Sequence, residues 1–230
     1  MATTRRRWND CTAERGEAGF YDVRWSNGDT AVYPSVTQII GAGHGIIEDR
    51  PEWRTARERG TLVHACAARM LTGGSISLEE FNGYDMDTKQ NLMAMQRFMD
   101  ETHPVVRHVE VLLLHHELQV AGRADLVCLC PGVLFGGLLV GDLKTGRVRL
   151  DDELMQLTAY AACYLAMDHR RRLLGVFSLH LNPDGSYLVT KRTVQSLFAS
   201  RYWTEFVNLR NTHFEYDERS LELWNSQHSQ

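Results

Sequence analysis

The chain has 230 residues, of which 43% are hydrophobic and 23% charged, and its formal net charge is −4. This composition is ordinary for a globular protein, and the length suffices for one domain with a substantial core. No run of about 18 apolar residues occurs and no apolar segment follows the N-terminal arginines, so neither a membrane-spanning helix nor a signal peptide is expected.

The five cysteines are scattered, and no two of them have Cys-x-x-Cys spacing. They predict neither a disulfide framework nor a cysteine-built zinc site. A reducing intracellular compartment such as the cytoplasm fits this usage, and no membrane partner is expected. The negative net charge does not indicate a nucleic-acid partner, although a local basic groove can coexist with an acidic remainder.

The first part of the chain predicts an N-terminal extension or hairpin followed by helices. Residues 1–32 contain a turn signal at 26–29, where asparagine and glycine are adjacent. A helix is expected over 51–71, because a proline is favoured at a first helical position and two glycines follow the last one. Another helix is expected over about 88–100, with Asp87 as its N-cap.

The rest of the chain predicts a small sheet with helices around it. Segments rich in valine and leucine, separated by glycine and proline, predict three mostly antiparallel strands, then a helix, a hairpin and a last helix. The expected ranges are 108–115, 117–130, 134–144, about 151–167, 173–181, 187–192 and about 194–209. The fold class is therefore α/β, with a small mixed β-sheet flanked by helices, and residues 211–230 form a polar tail.

The candidate chemistry centres on Asp142 and Lys144. Residues two apart on a strand share a face, so these two side chains lie together, and on their own they could be a simple ion pair. Asp125 places a second carboxylate in an otherwise apolar strand. Two carboxylates on neighbouring strands repel each other unless a positive charge lies between them, and a divalent cation with oxygen ligands supplies one. Lys144 would then orient a water molecule or stabilise charge on a phosphate.

Six segments together resemble the PD-(D/E)XK nuclease superfamily, and within it the RecB-like branch that includes phage exonucleases and the mitochondrial genome-maintenance exonuclease. The segments are PSVT at 34–37, GTLVH at 60–64, VE at 109–110, AGRAD at 121–125, DLKTG at 142–146 and QLTAY at 156–160. Each segment alone is a weak signal, but their order and spacing are specific. The resemblance covers about residues 33–160 and implies a restriction-endonuclease-like core within a nuclease domain over 33–210.

The resemblance also implies roles for individual residues. The metal ligands would be His64, Asp125, Asp142 and the backbone carbonyl of Leu143, and an imidazole ligand makes Mn²⁺ as suitable as Mg²⁺. Glu110 would hold a second metal or a metal-bound water. The catalytic set would be Lys144, Glu110, Asp125, Asp142, Gln156 and Tyr160, with Lys144 positioning the attacking water. The cysteines do not flank the core as an iron–sulfur cluster requires, so no cluster is expected.

The implied function is a metal-dependent DNA nuclease that hydrolyses phosphodiester bonds. It would be an exonuclease acting on single-stranded DNA or DNA ends in recombination, repair or replication. The DNA contacts would be Gln156, Tyr160, Arg54, Arg57 and Arg69, although arginines of this kind are often plain solvated charge. A separate single-strand-binding or annealing protein as partner and a phage-encoded origin in a bacterial host are compatible with this reading. The alternatives are a non-catalytic DNA-binding or assembly module on the same fold, an endonuclease, and a metal-dependent hydrolase of another substrate.

Overall fold

The computed structural model describes residues 11–16, 19–26, 28–44, 51–134, 136–167 and 172–216, and for 51–53 it describes the backbone only. In chain order its elements are β1 (Cys11–Arg15), β2 (Tyr21–Trp25), β3 (Thr30–Tyr33), α1 (Val36–Ala42), α2 (Pro51–Leu71), α3 (Leu78–Gly83), α4 (Met86–Thr102), β4 (Val105–His115), β5 (Val120–Leu129), β6 (Leu138–Lys144), α5 (Leu150–Met167), β7 (Leu173–Leu181), β8 (Tyr187–Thr193), α6 (Val194–Phe198) and α7 (Arg201–His213). Within these residues, no helix is long and apolar enough to cross a membrane.

The larger sheet has the strand order β4-β5-β6-β7-β8. Every neighbouring pair is antiparallel except β6 and β7, which are parallel. A parallel pair needs a long crossover connection, and α5 supplies it. The structure therefore confirms the predicted fold class, an α/β fold with a small mixed sheet flanked by helices.

Helices cover both faces of this sheet, and β6 is buried on both sides. Val140 of β6 belongs to the apolar cluster under α5, whereas Leu139 and Leu143 belong to the cluster under α2 and α4. Alternate residues of a strand point to opposite faces, so Asp142 and Lys144 extend towards the α5 side. The strand that carries the predicted chemistry is thus the central strand of the larger sheet.

The predicted N-terminal extension contains a three-stranded antiparallel sheet, β1-β2-β3, with one strand more than a simple hairpin. Its apolar face, which includes Tyr21, Val23 and Tyr33, packs against Leu114 and Ala121 of the larger sheet. The first ten residues of the extension lie outside the described part of the chain. This sheet is consequently packed directly beside the hairpin formed by β4 and β5.

Helix α4 begins earlier than the sequence indicated. The Asp85 carboxylate accepts a hydrogen bond from the backbone amide of Thr88 at 2.7 Å, so Asp85 is the N-cap. The predicted cap, Asp87, lies inside the first turn and forms an ion pair with Arg59. Both positions are aspartates, so the residue type alone does not distinguish the two possible caps.

The last predicted helix is divided into α6 and α7. Ser200 begins the second of these helices as its N-cap, and α7 continues to His213, beyond the predicted domain end at 210. Residues 217–230 of the predicted polar tail lie outside the described part of the chain. The short helix α3, which the sequence did not predict, begins at the N-cap Ser77, whose side chain accepts from the amide of Glu80 at 3.1 Å.

Candidate active site

The centre of the site is a fork between two strands. Strands β5 and β6 pair from Leu129 opposite Leu138 to Leu126 opposite Gly141, and the pairing then stops. The next residues are Asp125 and Asp142, both buried. Asp125 Oδ2 accepts a hydrogen bond from the backbone amide of Leu143 at 2.6 Å. A side chain therefore takes the place of the missing ladder bond, and the two carboxylates lie where the strands separate.

Helix α2 brings His64 to this fork. A Cβ added to Gly60 would lie 3.2 Å from Thr145 Oγ1, so the glycine lets the helix approach the end of β6 closely. Residues four apart share a helical face, which places His64 one turn further along on the same side. Its Nδ1 lies 3.1 Å from Asp125 Oδ1. The spacing of Gly60 and His64 thus has a structural reason: Gly60 allows close packing against β6, and His64, one turn later, contacts Asp125.

Glu110 reaches the same point from β4 through an unusual backbone. Its φ is +51°, in the left-handed region, although it lies within a strand. For a residue other than glycine this conformation costs about 1–2 kcal/mol. Its neighbours Val109 and Val111 pair with Leu126 and Ala124, so Glu110 lies opposite Asp125. Such strain within a well-paired strand is typical of functional positions.

Together these elements form a cluster suited to a divalent cation. One ligand atom each from His64, Glu110 and Asp125 lies within 4.8 Å of the other two. One imidazole nitrogen and two carboxylate oxygens suit Mn²⁺ or Mg²⁺. Asp142, predicted as a ligand of the same ion, lies on the opposite arm of the fork and contacts Lys144. Three of the predicted site residues, His64, Glu110 and Asp125, thus lie within ligand distance of one another, and Asp142 is not part of this group.

The electrostatics of the site favour a bound cation. Burial raises the pKa of the Glu110 carboxyl, and the charge on Asp125 raises it further. Burial also raises the pKa of Asp142. At His64, burial disfavours the charged imidazolium, but the hydrogen bond to Asp125 and its negative charge outweigh burial and raise the pKa. The carboxylates repel one another in a poorly solvated site, and a divalent ion relieves that repulsion.

Lys144 is held by two partners on the α5 side of β6. Its Nζ lies 2.5 Å from Asp142 Oδ2 and donates a hydrogen bond to Gln156 Oε1 at 2.8 Å. Burial disfavours the charged amine, but the Asp142 carboxylate outweighs that effect and raises the pKa of Lys144. The amine therefore remains charged at neutral pH, with a fixed direction.

Gln156 connects the predicted residues of α5 to those of β6. Its Nε2 donates to Asp142 Oδ1 at 3.1 Å and to the hydroxyl of Tyr160 at 2.9 Å. Gln156 and Tyr160 are both buried and are not among the described residues that line the cleft. The structure thus places Gln156 against Lys144 and Tyr160 against Gln156, but neither at a surface where it would contact DNA.

A cleft of about 690 Å³ opens over the metal-binding cluster and Lys144. Of the three arginines predicted to contact DNA, Arg57 lines this cleft, whereas Arg54 is exposed elsewhere on α2. Arg69 forms a salt bridge with Glu80, at 2.7 Å, and does not line it. Sequence reasoning missed Arg15 and Arg123, which do.

The two missed arginines differ in how they could have been found. Arg123 lies two residues before Asp125 in the same short segment, so its position next to the site was available from the sequence. Arg15 is at the end of β1, where it pairs with Tyr21 across the N-terminal sheet. No local pattern marks it, because only the packing of that sheet against β4 and β5 brings it to the cleft.

No protein-family model matches the chain, and no curated protein sequence matches it. Among solved structures, the chain is similar to an alkaline exonuclease, LHK-Exo, from Laribacter hongkongensis, at 14% identity and a TM-score of 0.41 over 84% of this chain and 94% of that one. It is also similar to LHK-Exo in complex with dAMP, at 16% identity and a TM-score of 0.41 over 86% and 93% of the two chains.

Proposed function

We propose that the chain is a metal-dependent DNA nuclease that hydrolyses phosphodiester bonds, acting as an exonuclease on single-stranded DNA or DNA ends. The observation that carries this proposal is the convergence of His64, Glu110 and Asp125 on one point of a cleft, beside a charged lysine. A structural ion pair between Asp142 and Lys144 would not require a strained glutamate and a helical histidine at the same place.

The residues of the site divide into those that hold a metal and those that act on the substrate. His64, Glu110 and Asp125 would hold Mg²⁺ or Mn²⁺, with Asp142 and the backbone carbonyl of Leu143 as further ligands. The bound cation supplies Lewis-acid stabilisation of charge on the phosphate. The amide of Leu143 already fixes Asp125, so the fork presents its carboxylate without rearrangement.

Lys144 is the group that would act directly on the scissile phosphate. Its amine is charged and oriented by Asp142 and Gln156, so it can donate a hydrogen bond to a phosphate oxygen or hold the attacking water in position. Preorganised charge of this kind requires no rearrangement as the transition state forms. Asp142 and Gln156 thus keep a flexible side chain in one direction.

The cleft suits a phosphodiester backbone because arginines line it. Arg57 from α2, Arg15 from β1 and Arg123 from β5 lie along it, close to the carboxylate cluster. Arginine binds phosphate through several donors, whereas the net charge of −4 gives little general attraction to DNA. Local contacts in the cleft would therefore supply most of the affinity for DNA. Such a nuclease would act in recombination, repair or replication.

The experiment is cleavage of an end-labelled single-stranded oligonucleotide with Mg²⁺ or Mn²⁺, and with EDTA. Asp125→Asn is the matched inactive variant, since its amide oxygen can still accept from Leu143 while the ligand charge is lost. Asp184→Asn, in the exposed turn between β7 and β8, is the control for general changes. Cleavage that needs the metal and Asp125 supports the proposal. DNA binding without metal-dependent cleavage by the parent would instead indicate a non-catalytic DNA-binding or assembly module.

A further inference from the structure

A second buried polar cluster lies beside Lys144 on the same face of the sheet, and its members are not among the described residues that line the cleft. It consists of Glu153 on the first turn of α5 and of Ser178 and His180 on β7, and is called the Glu153 cluster here. In the parallel pairing of β6 and β7, Ser178 lies opposite Asp142 and His180 lies opposite Lys144. The cluster therefore adjoins both residues of the proposed catalytic strand without belonging to the metal site.

The Glu153 carboxylate joins the start of α5 to β7. Its Oε1 accepts from the backbone amide of Arg149 at 2.9 Å. Its Oε2 accepts from Ser178 Oγ at 3.2 Å and lies 2.8 Å from His180 Nε2. Burial alone would raise the pKa of Glu153, but the bonds from the Arg149 amide and His180 lower it. A carboxylate only accepts hydrogen bonds, so His180 Nε2 carries the hydrogen.

Burying these polar side chains has a cost in folding free energy. Glu153 is 5% exposed and His180 is 2% exposed, and a buried carboxylate is unfavourable unless it is well hydrogen-bonded. The bonds to Glu153 come from one backbone amide, one hydroxyl and one imidazole. A helix start on an apolar sheet could be held by apolar packing at lower cost, so the geometry favours a role in orientation rather than in stability alone.

Gln156 follows Glu153 by three residues, which is nearly one helical turn. It is the residue whose amide contacts both Lys144 and Asp142, at 2.8 Å and 3.1 Å. We propose that Glu153 and His180 are positioning residues: they fix the first turn of α5 against β7 and thereby place the Gln156 amide on Lys144. The effect on cleavage rests on the proposed nuclease function, whereas the effect on the Gln156 amide does not.

The test uses three substitutions in the cluster and one control outside it. His180→Leu removes the donor to Glu153, and His180→Gln can restore one. Ser178→Ala removes a single hydrogen bond with little change in volume, and it serves as a folded variant if His180→Leu does not fold. Asp151→Asn removes a carboxylate from the same helical turn as Glu153, but Asp151 is exposed and pairs with Arg201, outside the Glu153 cluster.

The first measurement is the side-chain amide resonance of Gln156 in ¹H–¹⁵N spectra, assigned by its loss in Gln156→Ala. It should move in His180→Leu, move less in Ser178→Ala, return towards the parental position in His180→Gln, and stay unchanged in Asp151→Asn. A Gln156 resonance that is unchanged in folded His180→Leu or Ser178→Ala would overturn the proposal, whether or not the protein cleaves DNA.

The second measurement is steady-state cleavage of a single-stranded oligonucleotide with Mn²⁺. We expect kcat to fall about tenfold in His180→Leu and about threefold in Ser178→Ala, with KM little changed, because positioning of Lys144 acts on the transition state. In a Gln156→Ala background the same substitutions should have no further effect on kcat. Additive losses in that background would mean that the cluster does not act through Gln156.

Discussion

A Cβ atom added to Gly122 would lie 2.6 Å from Cε1 of Tyr160. Gly122 is on β5, three residues before Asp125, and the ring of Tyr160 fills the space that its missing side chain leaves. The hydroxyl of that ring accepts a hydrogen bond from Gln156, at 2.9 Å, and Gln156 in turn contacts Lys144. The absence of a side chain at 122 thus sets the position of α5 relative to the catalytic strand.

We expect Gly122→Ala to displace Tyr160 and Gln156. Overpacking of this kind costs about 1–3 kcal/mol of stability, and cleavage should fall because Lys144 loses its support. Thermal unfolding and oligonucleotide cleavage measure the two effects. Gly41→Ala is the matched control, because an added Cβ there meets nothing within 4 Å and alanine favours the helix. Parental stability and cleavage in Gly122→Ala would show that this contact has no role.

Substitutions of Glu110 and His64 should weaken metal binding. Both contribute to the cluster with Asp125, so Glu110→Gln and His64→Ala should each lower the affinity for Mn²⁺ by about tenfold or more. Isothermal titration calorimetry measures this affinity, with Ca²⁺ expected to bind without supporting cleavage. Glu117→Gln, at an exposed carboxylate just after the C-terminal end of β4, is the control. Unchanged Mn²⁺ affinity in Glu110→Gln would remove Glu110 from the ligand set.

The stabilising effect of Glu153 should depend on pH. Burial would raise its pKa above the ordinary value of 4.5, but hydrogen bonds from the Arg149 amide and His180 lower it. A carboxyl whose pKa is lowered by folding stabilises the protein above its unfolded-state pKa, and loses that effect as the pH falls through the lowered value. The difference in melting temperature between the parent and Glu153→Gln should be widest near neutral pH and shrink below pH 4.5. A constant difference would argue against an ionised Glu153.

The centre of the site was predictable because it depends on local geometry. The period of two along a strand places Asp142 and Lys144 on one face, and their apolar surroundings mark the strand as buried. That pairing needs only the regular geometry of a single strand. The role of His64 was instead implied by the resemblance, and its spacing from Gly60 fits one face of a helix.

The rest of the site depends on how separate elements pack together. The position of Glu110 follows from a left-handed residue inside β4, which no strand pattern indicates. Arg15 reaches the cleft because the N-terminal sheet packs on β4 and β5. In the sequence, Glu153 is an ordinary acidic residue near the start of a helix, where its negative charge interacts favourably with the helix dipole. Only the parallel pairing of β6 with β7 shows that it faces His180.

Cleavage should require a free DNA end. The cleft is short and lined by few arginines among the described residues. A DNA strand that enters it by a free end therefore makes more phosphate and base contacts than an internal part of a strand that lies across its opening. Linear and circular single-stranded DNA of one sequence, compared in Mg²⁺ and in Mn²⁺, measure this requirement. We expect the linear strand to be degraded and the circle to persist. Equal rates would identify an endonuclease.

Lys144 is proposed to act on the phosphate while His64, Glu110 and Asp125 hold the metal. The measurement that tests this proposal most directly is single-turnover cleavage by Lys144→Ala, at an Mn²⁺ concentration that calorimetry shows to be saturating. We expect a folded variant that binds Mn²⁺ but cleaves roughly 100-fold or more slowly than the parent, the scale of losing one preorganised electrostatic group. Cleavage at a near-parental rate would contradict it and leave Lys144 as a structural ion pair with Asp142.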